Sequence, residues 1–226
     1  MTLQEIVEKL WQAYSSIPWL GAFIVSFLGN AIPYTTIPYL LWIMLTTPEY
    51  KDPVTKAAIV VSAGIGAALG KVVVYSMGRA AHHVLPQHVK ENMEMFARLF
   101  EKWGFLAIFI FAASPLPDDI LYIPLGVAGY NPALFFIAVA LGKIVITAAA
   151  VAFSDIISAF TGGATSPAFI ASMIIISIVV TVVIARIDWF KVAKAARRGM
   201  REAITVLAEE AVRALAPKRS AEVRRA

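Results

Sequence analysis

The chain has 226 residues, 59% of them hydrophobic and 15% charged, with a mean hydropathy of +0.74, a balance that excludes an ordinary soluble domain. It contains no cysteine, which excludes disulfides and thiol chemistry. The net charge of +5 is concentrated in a tail, because ten of the twenty Lys and Arg follow residue 187, and it gives no signal for nucleic acid.

Thr2 and Glu5 fit a capping box. Leu3, Ile6, Val7, Leu10, Trp11 and Tyr14 then recur at helical spacing opposite Gln4, Glu5, Glu8 and Gln12. Residues 1–16 read as an interfacial amphipathic helix, too polar to span, and no cleavable signal peptide is expected. Residues 19–45 are apolar and uncharged, but Gly29-Asn30-Ala31-Ile32-Pro33, and then Pro38, interrupt the helical ladder. Each half-helix, about ten to twelve residues, reaches only about half of a ~30 Å hydrocarbon core. Residues 17–46 are therefore predicted to form a re-entrant hairpin whose bare backbone is buried in protein or lines a cavity.

The spacing predicts a transmembrane helix over 54–81, with Gly66 and Gly70 as a close-packing face. Residues 88–103 form an amphipathic connector, Val89, Met93, Phe96, Phe100 and Trp103 stepping by three or four. A second broken apolar segment over 104–130 has Ala113-Ser114-Pro115-Leu116-Pro117-Asp118-Asp119 at its middle and reads as a second re-entrant hairpin. Transmembrane helices are predicted over 132–153 and 166–187. Residues 188–226 form a basic amphipathic tail, with Lys191, Lys194, Arg198 and Arg201 beside a stripe from Trp189 to Leu215, expected to lie on anionic lipid.

The same phrase occurs in both long helices. Ala68-Leu69-Gly70-Lys71 returns as Ala140-Leu141-Gly142-Lys143. A lysine at a membrane helix centre costs roughly 2.5–3.5 kcal/mol on insertion scales, so each is expected to face a polar cavity or a partner. Two copies point to a duplicated half. Charge sets the topology: the tail and the 79–103 connector are predicted cytoplasmic, and the 154–165 loop, with no Lys or Arg, outside. Three crossings and two hairpins satisfy this and invert the halves. The fold class is an all-α polytopic membrane protein, an inverted repeat of re-entrant hairpin plus transmembrane helix with an extra C-terminal span.

Gly66-Ala-Ala-Leu-Gly70, with Tyr75 and Gly78-Arg79 after it, resembles the glycine and Y-x-x-G-R signature of the DedA family, which includes the VTT-domain, or SNARE-associated Golgi, proteins. Phe111-Ala-Ala-Ser-Pro115-Leu-Pro-Asp118, followed by Gly126, Gly129 and Gly142, is similar to that family's proline hairpin and its glycine elements, and Asn30-Ala-Ile-Pro33 falls at its first hairpin. The resemblance covers residues 20–153. It implies a membrane protein that flips or scrambles lipids, including polyprenyl phosphates. The charges are exchanged relative to that family. Its members carry acids near the first hairpin and arginines around the second, whereas here Lys71 and Lys143 follow the glycines and Asp118 and Asp119 occupy the second hairpin.

The substrate or coupling site is therefore expected at Lys71, Lys143, Asp118, Asp119 and Arg79, with Asn30, Thr35 and Thr36 lining the opposite wall. Pro33, Pro38, Pro115, Pro117, Gly66, Gly70 and Gly142 are expected to shape the hairpins and helix contacts. Helix capping competes as the role of one Asp, and a structural ion pair as the role of the lysines. His82, His83 and His88 lack carboxylate or Cys partners at ligand spacing, so no metal is expected. No cofactor is expected, and the absence of an activated nucleophile, metal cluster or phosphate loop argues against an enzyme. The expected function is a lipid transporter, flippase or scramblase in the cell membrane, with a cytoplasmic C-terminus. Membrane lipids and lipid phosphates are its expected partners, with room for protons or cations and a homo-oligomer. The alternatives are a non-transporting membrane scaffold or assembly factor, and an ion or small-molecule exporter.

Overall fold

The structure is a computed structural model that describes residues 17–33, 39–98, 104–114, 118–164, 166–188, 191–192, 195 and 200–215. The predicted 1–16 helix, Thr35, Thr36, Pro38, Pro115, Pro117 and most of the 188–199 stripe lie outside these. The described chain is helical, with no strand among the described residues. It divides into two units, Met1–Ile174 and Ile175–Ala226.

In the first unit, α1 (Pro18–Ala31) and α2 (Tyr39–Thr46) are the two halves of the first broken segment, and a 3₁₀ turn over Thr47–Glu49 follows. α3 (Pro53–Ala81) is 29 residues long and starts on Asp52, whose carboxylate accepts from Thr55 N at 2.8 Å. α4 (Gln87–Arg98) is the connector, and α5 (Gly104–Ala112) and α6 (Asp119–Val127) are the halves of the second broken segment. α7 (Pro132–Thr161) has 30 residues and is capped by Asn131, whose side chain accepts from Ala133 N and Leu134 N. α8 spans Pro167–Arg186.

Among the described residues two helices, α3 and α7, are long and apolar enough to cross a bilayer; the apolar stretch Pro167–Val183 of α8 is shorter. One boundary differs from expectation. Residues 154–161, read as part of an outside loop, continue α7 for two more turns. Ser154 and Thr161 return their hydroxyls to the carbonyls of Val151 and Ile157, both at 2.8 Å, so these polar residues are satisfied within the helix. The helix stops only at Gly162, where φ is +86°.

The packing inside this unit follows a pattern. α1 lies along α3, and α5 along α7, while the second halves cross over: α2 contacts α7, and α6 contacts α3. The repeated glycines make the first kind of contact. A Cβ on Gly70 would meet Phe27 O at 2.6 Å and Ala31 N at 2.9 Å, and one on Gly142 would meet Phe109 O at 2.7 Å and Ala113 N at 2.9 Å. In both cases the glycine of A-L-G-K admits the backbone of the first half-helix, touching residues i and i+4 of it. Gly66 does the same against Phe23, and Gly126 of α6 lies against the Tyr75 carbonyl of α3.

One core cluster gathers Tyr75, Ile108, Leu121, Tyr122, Phe135 and Val139, with Phe135 stacked on Tyr75 at 4.6 Å between ring centroids and edge-on to Tyr122 at 5.0 Å. The other joins Ala22, Tyr39, Ile43, Ile59, Ala63 and Val151.

In the second unit, α9 (Met200–Leu215) is joined to the end of α8 through Glu210. Its carboxylate takes Lys191 Nζ at 2.9 Å and Asp188 N at 3.3 Å, and Arg186 Nη1 donates to Ala214 O at 3.0 Å.

Candidate functional site

The two A-L-G-K lysines and the two aspartates meet. Lys71 reaches the site from α3, Lys143 from α7, and Asp118 and Asp119 from the start of α6. Asp118 bridges the two long helices, with Oδ1 3.1 Å from Lys71 Nζ and Oδ2 2.6 Å from Lys143 Nζ. Lys71 Nζ also donates to Asp119 Oδ1 at 2.7 Å. The lysines are each 6% exposed and the aspartates 4%. Two positive and two negative charges therefore share one buried site and cancel. Each Lys is costly alone in an apolar helix, and the cluster compensates for that.

The sequence folds this way for local reasons. Gly70 and Gly142 bring α1 and α5 close to the long helices, one residue before each lysine, so the flanking wall is backbone and small side chains. The break before Asp118 ends α5 and restarts the chain as α6, placing two adjacent carboxylates at a helix start. Asp118 occupies the N-cap position of α6 without a side-chain capping bond. Its carboxylate is committed to lysines, which corrects the capping alternative for that residue. The α6 dipole still favours negative charge there.

Other expected site residues lie elsewhere. Arg79 is exposed, two turns beyond Lys71 along α3, and donates from Nη1 to Tyr75 Oη at 3.3 Å. Asn30 is buried near Gly70, but its amide donates to Ser26 O of its own helix at 2.8 Å. Pro33 follows Ile32, the extended residue that closes α1. His82 uses Nδ1 on the Val127 carbonyl at 3.0 Å.

Two residues were missed. Tyr39, at the start of α2, lies in the field of Lys143 and Asp118, next to Thr147. Tyr122, one turn after Asp118, lies in the field of both aspartates and of Tyr39. Both are buried, the Tyr39 hydroxyl beside the Thr147 side chain and the Tyr122 hydroxyl beside the Asp118 carboxylate. Thr147, which directs its own hydroxyl to Lys143 O at 2.6 Å, completes this wall. The arrangement offers two ammonium groups from different long helices, an acidic bridge between them that can be protonated or displaced, and phenols beside it.

The family model of the VTT domain, the domain of DedA and SNARE-associated Golgi proteins, matches residues 32–156. The match contains α2, the four charged residues, and Gly70 and Gly142 of A-L-G-K. No curated protein and no solved structure matches the chain.

Proposed function

The chain belongs to the VTT-domain, or DedA, family of membrane-associated proteins, and from that premise we propose that it is a lipid transporter, a flippase or scramblase that moves a phospholipid or polyprenyl-phosphate-like lipid. The observation that carries the proposal is the neutral, buried Lys71–Asp118–Lys143–Asp119 cluster. It joins two long apolar helices to one break in the chain. Intramembrane ionisable groups are expensive and mark functional sites by default.

In this reading the two broken segments are re-entrant hairpins of an inverted repeat, each splitting its halves between the two long helices. The tail is cytoplasmic and the chain crosses the membrane several times. The contact pattern of α1 and α5, and of α2 and α6, supports the repeat, because equivalent pieces make equivalent contacts. Alternating access then moves one hairpin against the opposite long helix around a fixed polar site.

Asp118 is the natural control point. Protonating it removes the attraction to Lys143, freeing an ammonium for an anionic headgroup while the tails stay in the bilayer. A proton shifts the balance of states only by its differential affinity for them; a difference of one pKa unit supplies roughly 1.4 kcal/mol, about a tenfold bias. The protein acts here as a carrier rather than an enzyme, with lipids as partners.

Reconstitution in liposomes with labelled phospholipid and labelled polyprenyl phosphate, with and without a pH gradient, tests this. Accelerated movement of either lipid is expected. Protein-containing vesicles that move neither lipid faster than empty ones would refute transport and leave the cluster as a static staple of a scaffold.

A further inference from the structure

A second polar site lies at the other end of the long helices. Lys56, in the first turn of α3, pairs with Asp155 near the end of α7 at 2.5 Å, joining the two antiparallel helices a second time. Beside the pair is an open cleft of about 330 Å³ lined by Lys51, Lys56, Asp155, Ser158 and Gly162 among others. From Lys71 to Lys56 is fifteen residues of helix, roughly 22 Å at 1.5 Å per residue, so the cleft is remote from the buried cluster. Lys56 is about 16 Å from the middle of α3 and Asp155 about 13 Å from the middle of α7 by the same rise. These distances match the edge of a ~30 Å hydrocarbon core, the level of lipid headgroups.

The charges of this cleft do not balance. Two lysines line it against one lining carboxylate, Asp155. The nearby Asp52, which accepts from Thr55 N and Oγ1, both at 2.8 Å, keeps its charge but does not line the cleft. Ser158 supplies an independent sign of a ligand. Its neighbours along α7, Thr147, Ser154 and Thr161, each return their hydroxyl to a backbone carbonyl of the same helix. Ser158, 9% exposed, does not; its hydroxyl lines the cleft without a hydrogen-bond partner among the described residues.

We propose that this cleft is a binding site for a phosphate group, held by Lys51 and Lys56 with Ser158 as a hydroxyl donor, and that Asp155 competes with that phosphate for Lys56. The chemistry is that of an anionic headgroup at the membrane surface or of free phosphate. The site stands apart from the transport reading and from its charged cluster.

The test uses the full chain in detergent and measures binding of three probes: dioctanoyl phosphatidylglycerol, dioctanoylglycerol, which lacks the phosphate, and inorganic phosphate. Dioctanoylglycerol is expected to bind no better than background. Lys51→Ala and Lys56→Ala are each expected to weaken binding of the phosphate probe about tenfold, the loss of one charge-assisted hydrogen bond. Ser158→Ala should weaken it by a smaller factor. Asp155→Asn is expected to tighten it, because the competitor is gone. This sign is decisive: Lys56→Ala and Asp155→Asn both break the interhelix pair, so a purely structural pair moves both in the same direction. Opposite signs support the site, and the tighter of the lipid and the inorganic probe identifies the source of the phosphate. The same sign for both variants, or equal binding of dioctanoylglycerol, overturns it.

Discussion

Removing one member of the Lys143–Asp118 pair should cost far more than removing both. Lys143 Nζ sits 2.6 Å from Asp118 Oδ2, with both residues at least 94% buried. Asp118→Asn leaves Lys143 without its carboxylate and the cluster with a net positive charge. Lys143→Gln leaves a net negative one, although Lys71 still faces Asp118 at 3.1 Å. Stranding a buried charge costs ~3–5 kcal/mol. At about 2–4 °C per kcal/mol for a chain of this size, each single change should lower Tm by roughly 6–20 °C. The double variant keeps the neutral Lys71–Asp119 pair at 2.7 Å and should be more stable than either single. Contacting buried groups couple by up to ~3 kcal/mol in such cycles. Thermal unfolding of the purified protein in one detergent, followed by intrinsic fluorescence, reads all four species. Additive losses would refute the reasoning, because they would mean the two charges do not depend on each other.

Gly70→Ala should destabilise by about 1–3 kcal/mol, since the new Cβ falls 2.6 Å from Phe27 O and 2.9 Å from the Ala31 amide, atoms of backbone that cannot rotate away. Gly142→Ala should do likewise against Phe109 O at 2.7 Å, and equal Tm values for either variant and the wild type would contradict the close contact. Asn131→Ala should cost ~1 kcal/mol by removing the acceptor for Ala133 N and Leu134 N, checked by the same unfolding measurement. The hydrogen bond from Lys191, aided by that from the Asp188 amide, holds the Glu210 carboxyl below its ordinary value of 4.5. The contribution of Glu210 to the α8–α9 junction is therefore complete above about 4.5 and lost as pH falls through its lower folded value. Proteolysis of the tail should accelerate across that acid window, and Glu210→Gln should be cut readily at neutral pH with little further change on acidification.

Much of the site was legible because charge in an apolar helix is conspicuous. Lys71 and Lys143 announced themselves by cost and by repetition, and two adjacent aspartates in a proline-broken segment needed a partner of opposite sign. What the spacing alone could not give was which lysine meets which carboxylate. That depends on α6 crossing to α3, a tertiary choice made by Gly78 and Gly126 at the contact of the two helices. Arg79 was read into the site on the strength of its motif, but two turns of helix carry it to an exposed position. Tyr39 and Tyr122 were missed because the spacing of an apolar segment does not show which way a lone tyrosine faces. Only the fold reveals that their hydroxyls turn inward. The end of α7 was misread for a different reason: Ser154, Asp155 and Thr161 look like loop residues, yet hydroxyls that bond back to the helix and an aspartate that meets Lys56 are all accommodated within it.

The most direct test of the central claim separates transport from stability. The Lys143→Gln/Asp118→Asn variant keeps the cluster neutral, so its fold should survive while the second ammonium and the acidic bridge are lost. Reconstituted beside the wild type at equal protein per vesicle, it should give folded protein with lipid movement reduced to the level of empty vesicles. Wild-type rates of lipid movement from that variant would contradict the assignment of the buried charges as the transport site.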